Sequence, residues 1–392
     1  MKILIASDLH WPTINGVATF SRNLAQGLSA RGHEVIVIAP SQTGKKYKEV
    51  DGNYTIARTA AIPFPFYQNF MISLSPNGEV RKIIKSFKPD VIHIQMPLMI
   101  GQAVMKYGTR HNIPIVTTSH AMPENLMDNL RLVGRVAKPI NYMIKMFGAR
   151  FHSKADYITM PTKAAMGMFG SMVDKVDVPI EAVSNGIDLS RFSNTKPSKD
   201  ILKKFDIPTD DPIVTYIGRL DAEKHLPVLV RAFDRVLKNN KAHLLMVGSG
   251  TDNDNLRILA YELGISDHIT FAGRVSDEDL VELHKVGTLY CITSPVELQS
   301  IATLEAMASG KPIVAVDTGA LWELCQNERN GFLCRTDDDK QIAESITKII
   351  INPTLRESMS RESLAIAGTH DLKVTITRFE EIYSDLIKKR IS

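Results

Sequence analysis

The chain has 392 residues, of which 44% are hydrophobic and 23% are charged, and its formal net charge is +4. This length exceeds what one hydrophobic core usually covers, so we expect two domains of ~150–200 residues. The small net charge does not indicate nucleic acid as a partner. The three cysteines, Cys291, Cys325 and Cys334, lack CxxC spacing. They therefore predict neither a disulfide framework nor a zinc site, and they fit a reducing, cytosolic setting.

The hydropathy pattern predicts a protein without a leader or a membrane span. In MKILIASDLH (1–10), Asp8 and His10 interrupt the apolar run that a signal peptide would continue. No apolar run approaches the ~18 residues that a transmembrane helix needs. We therefore expect a cytoplasmic protein.

Short apolar runs alternate with segments of helical period through the first half of the chain. KILIAS (2–7) is typical of a buried strand. The next segment predicts a helix that ends at Gly32 and has one apolar face, formed by Val17, Phe20, Leu24 and Leu28. Further strands are predicted at 34–40, 90–95, 113–120 and 157–162. This alternation predicts a parallel sheet with helices on both faces.

The same alternation restarts after a polar, turn-rich stretch at 185–200. A helix is predicted at 226–240, and strands are predicted at 213–219, 243–250, 268–275, 288–295 and 312–317. We therefore predict an α/β protein of two doubly wound, Rossmann-like domains, 1–190 and 191–370, followed by a helix at 371–392. In such sheets the ligand site lies at the carboxyl ends of the strands.

Charged and small residues follow the predicted strands of the second domain. Arg219 and Lys224 leave one strand end together, where an anion would sit, and Gly248 ends the next strand. Ser300 begins a predicted helix whose free N–H groups favour a phosphate. The combination predicts a diphosphate site.

Two glutamates, Glu297 and Glu305, are the only charged residues in VELQSIATLEAMASG (296–310). A carboxylate has two acceptor oxygens, which suit two vicinal hydroxyls. Glu297 at a strand end would bind a sugar, and Glu305 on the second turn of the helix would bind a ribose. A nucleotide-sugar carries both diols, joined by a diphosphate.

These residues resemble the motifs of the retaining GT-B glycosyltransferases of family 4. Glu297 and Glu305 match the family's pair of glutamates, and a further set matches its other motifs. That set is Gly16 of the N-terminal loop, Asn185-Gly186-Ile187-Asp188 at the domain junction, and Gly218, Arg219, Glu223 and Lys224 of the diphosphate clamp. The chain departs from the family at Gln299-Ser300, where Phe-Gly is usual, and at Asn15, where a second glycine is usual.

The resemblance implies further site residues and two domains that face each other across a cleft. His120 would lie at the reacting centre, with Glu124 as a second contact for the acceptor. The base would rest near Arg274 and Val275, and the donor would also contact Leu298, Gln299, Ser300 and Ile301. The resemblance implies a nucleotide-sugar co-substrate, no cofactor and no metal, so the DxD of Asp252 and Asp254 is interpreted as a helix start. It also implies that helix 371–392 crosses back onto the first domain.

Residues 130–155 bear on the acceptor, because they contain six basic residues and no acidic one. At 100° per residue, the basic residues on one side are Arg131, Arg135, Lys138 and Lys145. The apolar residues on the other are Val133, Val136, Ala137, Ile140, Met143, Ile144, Phe147 and Phe151. The pattern is typical of a helix on an anionic membrane, but it also fits a helix whose apolar side packs on the domain core.

The resemblance and the basic segment together imply a retaining enzyme that transfers a hexose, glucose from UDP-glucose, to a membrane lipid such as diacylglycerol. ELQSIATLEA (297–306) and HAMPENL (120–126) are similar to segments of diacylglycerol glucosyltransferases. Such an enzyme would lie on the inner face of the cell membrane. One alternative is a mannosyl- or galactosyltransferase with a soluble or polyprenyl-linked acceptor. Another is a membrane-binding protein with a vestigial sugar site, and a nucleotide-sugar epimerase is a third.

Overall fold

The computed structural model describes residues 1–13, 15–64, 70–120, 137–169 and 177–391, without the side chains of 137–141, 145, 168, 169 and 391. The chain forms two compact units. Unit 1 contains Met1–Gly186 and the segment from Leu372 to the C-terminus, and unit 2 is Ile187–Asp371. The predicted fold class is confirmed, since each unit is a Rossmann-like α/β domain built on a mostly parallel sheet.

Unit 1 contains an eight-stranded sheet of order β10-β9-β8-β7-β1-β2-β4-β3, in which only the β3–β4 pair is antiparallel. Its strands, with the small β5–β6 pair, are β1 (Lys2–Ala6), β2 (Glu34–Pro40), β3 (Tyr47–Asp51), β4 (Tyr54–Thr59), β5 (Ala61–Pro63), β6 (Met71–Ser73), β7 (Val91–Ile94), β8 (Ile115–Thr118), β9 (Tyr157–Met160) and β10 (Ile180–Ala182). Its helices before the crossing to unit 2 are α1 (Gly16–Ala30), α2 (Asn77–Phe87), α3 (Met99–Arg110), α4 (Ala137–His152) and α5 (Lys163–Phe169).

Unit 2 contains a six-stranded parallel sheet of order β13-β12-β11-β14-β15-β16. Its strands are β11 (Ile213–Ile217), β12 (His243–Val247), β13 (Ile269–Gly273), β14 (Leu289–Ile292), β15 (Ile313–Val316) and β16 (Gly331–Cys334). Its helices are α6 (Lys199–Lys204), α7 (Leu226–Leu237), α8 (Asn253–Glu262), α9 (Asp277–Val286), α10 (Ile301–Ala308), α11 (Leu321–Leu324), α12 (Asp339–Ile351) and α13 (Pro353–Gly368). Short 3-10 turns lie at Leu189–Arg191, Ala222–Lys224 and Ser266–His268.

Alternating residues of the central strand β1 explain why unit 1 has helices on both faces. Ile3 and Ile5 pack with α1, whereas Leu4 and Ala6 pack with α2 and α3 on the opposite face. Because successive side chains of a strand point to opposite faces, an unbroken apolar run needs cover on both sides. This is the arrangement that the apolar runs predict.

The last helix, α14 (Leu372–Ile391), returns to unit 1 and packs beside α1. Phe379 is fully buried, with its ring centre 5.8 Å from that of Phe20 and 5.0 Å from that of His93. The chain leaves unit 1 at Gly186, where φ is +67° and a Cβ would lie 2.8 Å from the Cα of Leu372. Glycine is therefore required where α14 begins beside the outgoing chain.

The sequence analysis missed the edge strands β3, β10 and β16, although it predicted the edge strand β13. In the β3–β4 hairpin, Gly52 and Asn53 form the turn between the paired Asp51 and Tyr54, and Gly52 has φ of +61°. Gly-Asn between two alternating segments is a hairpin signal that could have been used. The short strands β5 and β6 were also missed.

Replacing Phe379 with Ala should lower the free energy of unfolding of unit 1 by about 3–5 kcal/mol, because it empties a fully buried ring site. The chain has two tryptophans, Trp11 in unit 1 and Trp322 in unit 2. Fluorescence-monitored denaturation in a Trp322→Phe background therefore reports unit 1. Val374→Ala on the same helix is the control, since Val374 is 62% exposed. A loss below about 1 kcal/mol for Phe379→Ala would contradict this packing.

Candidate active site

The sheet order of unit 2 brings several predicted site residues to one edge. β11 lies between β12 and β14, and all three run parallel. The loops that carry Arg219, Gly248 and Glu297 follow these three strands. Because the carboxyl ends of parallel strands share one edge, the three loops are neighbours.

The predicted cations of this edge are already paired with carboxylates. Arg219 donates to Asp221 and to Glu223. The Nζ of Lys224 lies 2.8 Å from the Oε1 of Glu297 and 3.5 Å from the Oε1 of Glu223. Two cations thus face three carboxylates. The sequence analysis did not predict that Asp221 and Glu223 pair with these cations. A diphosphate bound at this edge would have to replace carboxylates as the partners of the two cations.

Glu223 and Lys224 form the buried centre of this cluster. The side chain of Glu223 is 3% exposed, and those of Lys224 and Glu297 are 14% exposed. Burial alone would lower the pKa of Lys224, but the charges of Glu297 and Glu223 outweigh it and the pKa is raised. Lys224 therefore keeps its positive charge in this partly dry site. The carbonyl of Lys224 also accepts a hydrogen bond from Thr293 at 2.9 Å, which ties the loop to the end of β14.

The backbone of Glu297 is held by the loop after β15. Ala320 donates its N–H to the carbonyl of Glu297 at 2.8 Å. Gly319 has φ of +58°, and a Cβ there would lie 2.8 Å from that carbonyl oxygen and 2.9 Å from the nitrogen of Glu297. Only glycine fits this position without moving Glu297. The sequence analysis missed Gly319, although Thr-Gly directly after a strand marks a turn.

Gly248 allows two loops to approach each other closely. Its φ is +136°, and a Cβ would lie 1.9 Å from the carbonyl oxygen of Gly218. Its N–H donates to the carbonyl of Gly273 at 2.9 Å. Gly248 thereby lets the loop of Arg219 pass beside the end of β12.

The loop after β14 leads into α10. Ser300 caps this helix, as the sequence predicts, and its Oγ accepts from the N–H of Thr303 at 3.3 Å and from the Thr303 hydroxyl at 2.8 Å. The residues from Leu298 to Ile301 are each less than a tenth exposed. Arg274 and Val275 follow β13, and Arg274 is exposed while Val275 is half-buried. They lie three strands from Glu297 in the sheet order, about 14 Å at the usual strand spacing.

Glu305 has a partner that the sequence analysis did not identify. Its Oε2 lies 3.2 Å from the Nε2 of His284, on α9. The side chain of His284 is 1% exposed, and that of Glu305 is 14% exposed. The sequence signal that could have identified His284 is its position directly after the apolar Leu283. Both residues lie on the side of α9 that is buried.

In unit 1, His120 follows β8 beside Gln95, which follows the adjacent strand β7. The Nε2 of His120 donates to the Oε1 of Gln95 at 2.7 Å, and its ring packs 5.0 Å from that of Phe20. Burial, with a smaller contribution from His152, lowers the pKa of His120 to about 3. His120 is therefore neutral near pH 7, with its proton on Nε2 and an acceptor lone pair on Nδ1.

Gly16 is the first residue of α1 and is exposed. Asn15 precedes it as the N-cap, and its Oδ1 accepts from the N–H of Ala18 at 2.9 Å. This cap gives a physical reason for asparagine where the resembling family usually has glycine. Glu124 lies outside the described residues, as do residues 130–136, so their predicted contacts stay predictions.

Gly319→Ala should lower the free energy of unfolding of unit 2 by about 1–3 kcal/mol, because the side chain adds positive-φ strain and a backbone clash. Gly264→Ala separates the two effects, since Gly264 has φ of +70° and nothing within 4 Å of its Cβ position. Trp322 reports the unfolding of unit 2 in a Trp11→Phe background. Equal losses for the two glycine variants would show that the clash with Glu297 does not exist.

Two family models match the chain. "Glycosyltransferase Family 4" matches residues 14–191, and "Glycosyl transferases group 1" matches residues 197–364. Among curated relatives, the alpha-monoglucosyldiacylglycerol synthase of Streptococcus pneumoniae is 25% identical over 99% of this chain and 86% of its own. The enzyme of that name from Acholeplasma laidlawii is 26% identical over 99% and 98%. The N-acetyl-alpha-D-glucosaminyl L-malate synthase of Bacillus anthracis is 23% identical over 99% and 98%.

Solved structures show the same fold. The sucrose-phosphate synthase of Thermosynechococcus elongatus superposes with a TM-score of 0.80 at 19% identity, covering 99% of both chains. The Anabaena protein HepE, in complex with UDP and glucose, has a TM-score of 0.74 at 19% identity and covers 98% of this chain and 99% of its own. At these identities the likeness concerns the GT-B fold alone. With both family models matched in succession, the chain belongs to the group 1 and family 4 glycosyltransferases, and it is a glycosyltransferase.

Proposed function

We propose that this glycosyltransferase moves glucose from UDP-glucose to a membrane lipid such as diacylglycerol, with retention at the anomeric carbon. The observation that carries the lipid acceptor is an exposed apolar face on α4, which we call the α4 face. It consists of Tyr142, Met143, Met146 and Phe147. The names of the pneumococcal and Acholeplasma relatives, which describe an α-glucosyl lipid product, support this choice.

The α4 face is left exposed by the residues that the structure describes. Tyr142 is 66% exposed, Met143 68%, Met146 45% and Phe147 51%. At 100° per residue these four span about 140° of the helix. The sequence analysis placed Phe151 on the same side as Met143 and Phe147, but Phe151 is 2% exposed and packs in the core. The predicted apolar side is therefore divided into a buried part and an exposed part.

Contiguous exposed apolar side chains on a helix support contact with lipid or protein, because removing their apolar surface from water is favourable. Arg150 and Lys154 are exposed at the end of α4. The stretch 130–155 has six basic residues and no acidic one, and each basic residue near an anionic surface contributes ~1 kcal/mol of attraction. Apolar side chains would enter the headgroup boundary while the cations bind lipid phosphates. We propose that the α4 face and these cations attach the enzyme peripherally to the cytoplasmic face of the membrane.

None of the described helices is long and apolar enough to cross a bilayer.

The donor would lie along the carboxyl edge of unit 2. We assign the base to the backbone near Arg274 and Val275, the ribose to Glu305, the diphosphate to Arg219 and Lys224, and the sugar to Glu297. Sugar hydroxyls would replace Lys224 as the partner of Glu297, which frees the ammonium group for the leaving diphosphate. A buried cation stabilises the charge that develops on this leaving group.

In unit 1 we assign His120 to a hydroxyl of the sugar or the acceptor and Gly16 to the phosphates. Because His120 is neutral, its Nδ1 can accept a hydrogen bond from a hydroxyl. We propose that a donor phosphate oxygen takes the proton of the acceptor hydroxyl in a same-face substitution. We also propose that the reaction needs no metal, which an EDTA arm of the assay tests.

A second candidate is a hexosyltransferase with a soluble or polyprenyl-linked acceptor. It is favoured by the Bacillus anthracis relative, whose name contains L-malate, and by mycobacterial and corynebacterial relatives named GDP-mannose-dependent alpha-mannosyltransferases. The alternatives of a vestigial sugar site and of an epimerase are disfavoured by the glycosyltransferase family models and by the paired charges of the site.

The lipid acceptor is tested by UDP release from UDP-glucose in EDTA, with diacylglycerol vesicles that contain or lack an anionic lipid. We expect release that requires diacylglycerol and rises with the anionic lipid. Met143→Ser with Phe147→Ser should weaken vesicle binding and lipid-dependent release, because the change removes apolar area from the α4 face. Ile258→Ser with Tyr261→Ser is the matched control, since these two side chains on α8 are 56% and 80% exposed. Release with a soluble acceptor alone, or equal effects of both double variants, would contradict the proposal.

Lys224→Ala should lower kcat/KM for the donor by about 10²–10³, because it removes the buried cation from the leaving group. Lys238→Ala is the control, since Lys238 on unit 2 is 62% exposed and pairs only with Asp234 in the described ion pairs. Nucleotide release gives the rate, and thermal unfolding shows whether each variant is folded. Turnover of folded Lys224→Ala near the wild-type rate would exclude this role.

A further inference from the structure

We propose that His284 is a positioning residue that orients Glu305 and thereby sets the preference of the enzyme for a ribose over a 2′-deoxyribose. This inference rests on the proposed function, because it takes Glu305 as the ribose ligand. It adds a residue that lies behind the site, on a different helix from Glu305.

The geometry joins two helices through one hydrogen bond. His284 lies in the last turn of α9, and Glu305 lies in the second turn of α10. The Nε2 of His284 and the Oε2 of Glu305 are 3.2 Å apart. Because a carboxylate only accepts, the ring carries a proton on Nε2. The bond therefore fixes one oxygen of the carboxylate from the buried side.

The surroundings of His284 offer it no other polar partner among the described residues. Its Nδ1 is buried and without a hydrogen bond there. The ring of Phe192 stands edge-on to it, with centroids 5.5 Å apart and planes at 90°. A buried polar atom without a partner lowers stability. An apolar side chain would therefore suit this pocket better, so the contact with Glu305 is what a histidine adds here.

The free side of Glu305 is where a ligand would bind. Its Oε1 makes no hydrogen bond within the described part of the chain, and its side chain is 14% exposed. The last torsion of a glutamate is broad, so an unsupported carboxylate samples many orientations. Binding two vicinal hydroxyls requires both oxygens in one plane with the diol. Holding Oε2 selects that plane before the nucleotide arrives, which is preorganisation.

The consequence is a specific effect on ribose recognition. Without His284, the ligand itself has to order the side chain of Glu305. The 2′-hydroxyl then contributes less to the binding affinity of the nucleotide. In metal sites, partners that orient a ligating side chain from behind typically contribute about 10–100-fold, and we expect an effect of similar size here. Binding of the diphosphate and base should change little, because Arg219 and Lys224 have their own carboxylate partners.

The test is calorimetric binding of UDP and 2′-deoxy-UDP, with GDP and 2′-deoxy-GDP as a second pair, to the whole protein. We expect the wild-type protein to prefer the ribose form of at least one pair. His284→Leu should reduce that preference by about tenfold or more, and its melting temperature should equal or exceed that of the wild type. His284→Gln can place an amide N–H near the position of Nε2 and should keep most of the preference. His284→Asn is too short to reach Glu305 and should behave like His284→Leu.

A double-mutant cycle separates positioning from packing. In a Glu305→Ala background, His284→Leu should have no further effect on the ribose preference. If His284→Leu weakens the ribose and deoxyribose forms equally, the residue is only structural and the proposal is overturned. Because His284→Asn keeps a polar side chain, it provides the same comparison if the leucine variant does not fold.

The experiment also distinguishes a failure of this inference from a failure of the proposed function. A wild-type protein that binds nucleotide without preferring ribose would remove Glu305 from the ribose site, and this inference would fall with it. A ribose preference that survives in every His284 variant would overturn the inference alone. Because binding is measured without an acceptor, an incorrect lipid assignment leaves the result unchanged.

Discussion

The ion pair between Lys224 and Glu297, with Glu223 behind it, is the interaction on which the candidate site depends. Charges with little exposure are stable only when each has a partner at close range. The pair joins the loop after β11 to the loop after β14, so it requires these strands to be neighbours. The backbone of Glu297 is fixed from a third strand end through Gly319 and Ala320. The parallel sheet is therefore what allows such a charged cluster to exist at its edge.

The two units contribute different chemistry. The carboxyl edge of unit 2 is charged, and its two cations are held in place by carboxylate partners. The equivalent region of unit 1 presents His120, whose low pKa keeps it neutral, beside the amide of Gln95. Neutral donors and acceptors suit hydroxyl groups, which need hydrogen bonds rather than compensation of charge. This division agrees with a transferase in which one domain binds the nucleotide and the other binds what receives the sugar.

Much of the fold could be predicted because the central strands are buried on both faces. Runs such as ILIA (3–6) and IVAV (313–316) are apolar throughout, so their type is visible without knowledge of their neighbours. The edge hairpin β3–β4 was missed because β3 is half-exposed and carries Lys48, Glu49 and Asp51. Likewise, the helical period of α4 grouped Phe151 with Phe147, but only contact with the core decides that one is buried and the other exposed.

The sequence by itself determined the α/β architecture, the break near residues 185–200 and the set of residues whose spacing resembles the family's donor site. These features are local, since they follow from apolar period, turn residues and the order of motifs along the chain. Only the tertiary structure decided which charges meet. Lys224 and Glu297 are 73 positions apart, and His284 and Glu305 are 21 apart on different helices. Such pairs form because the register of the sheet and the packing of helices place them together, and that register is a property of the folded chain.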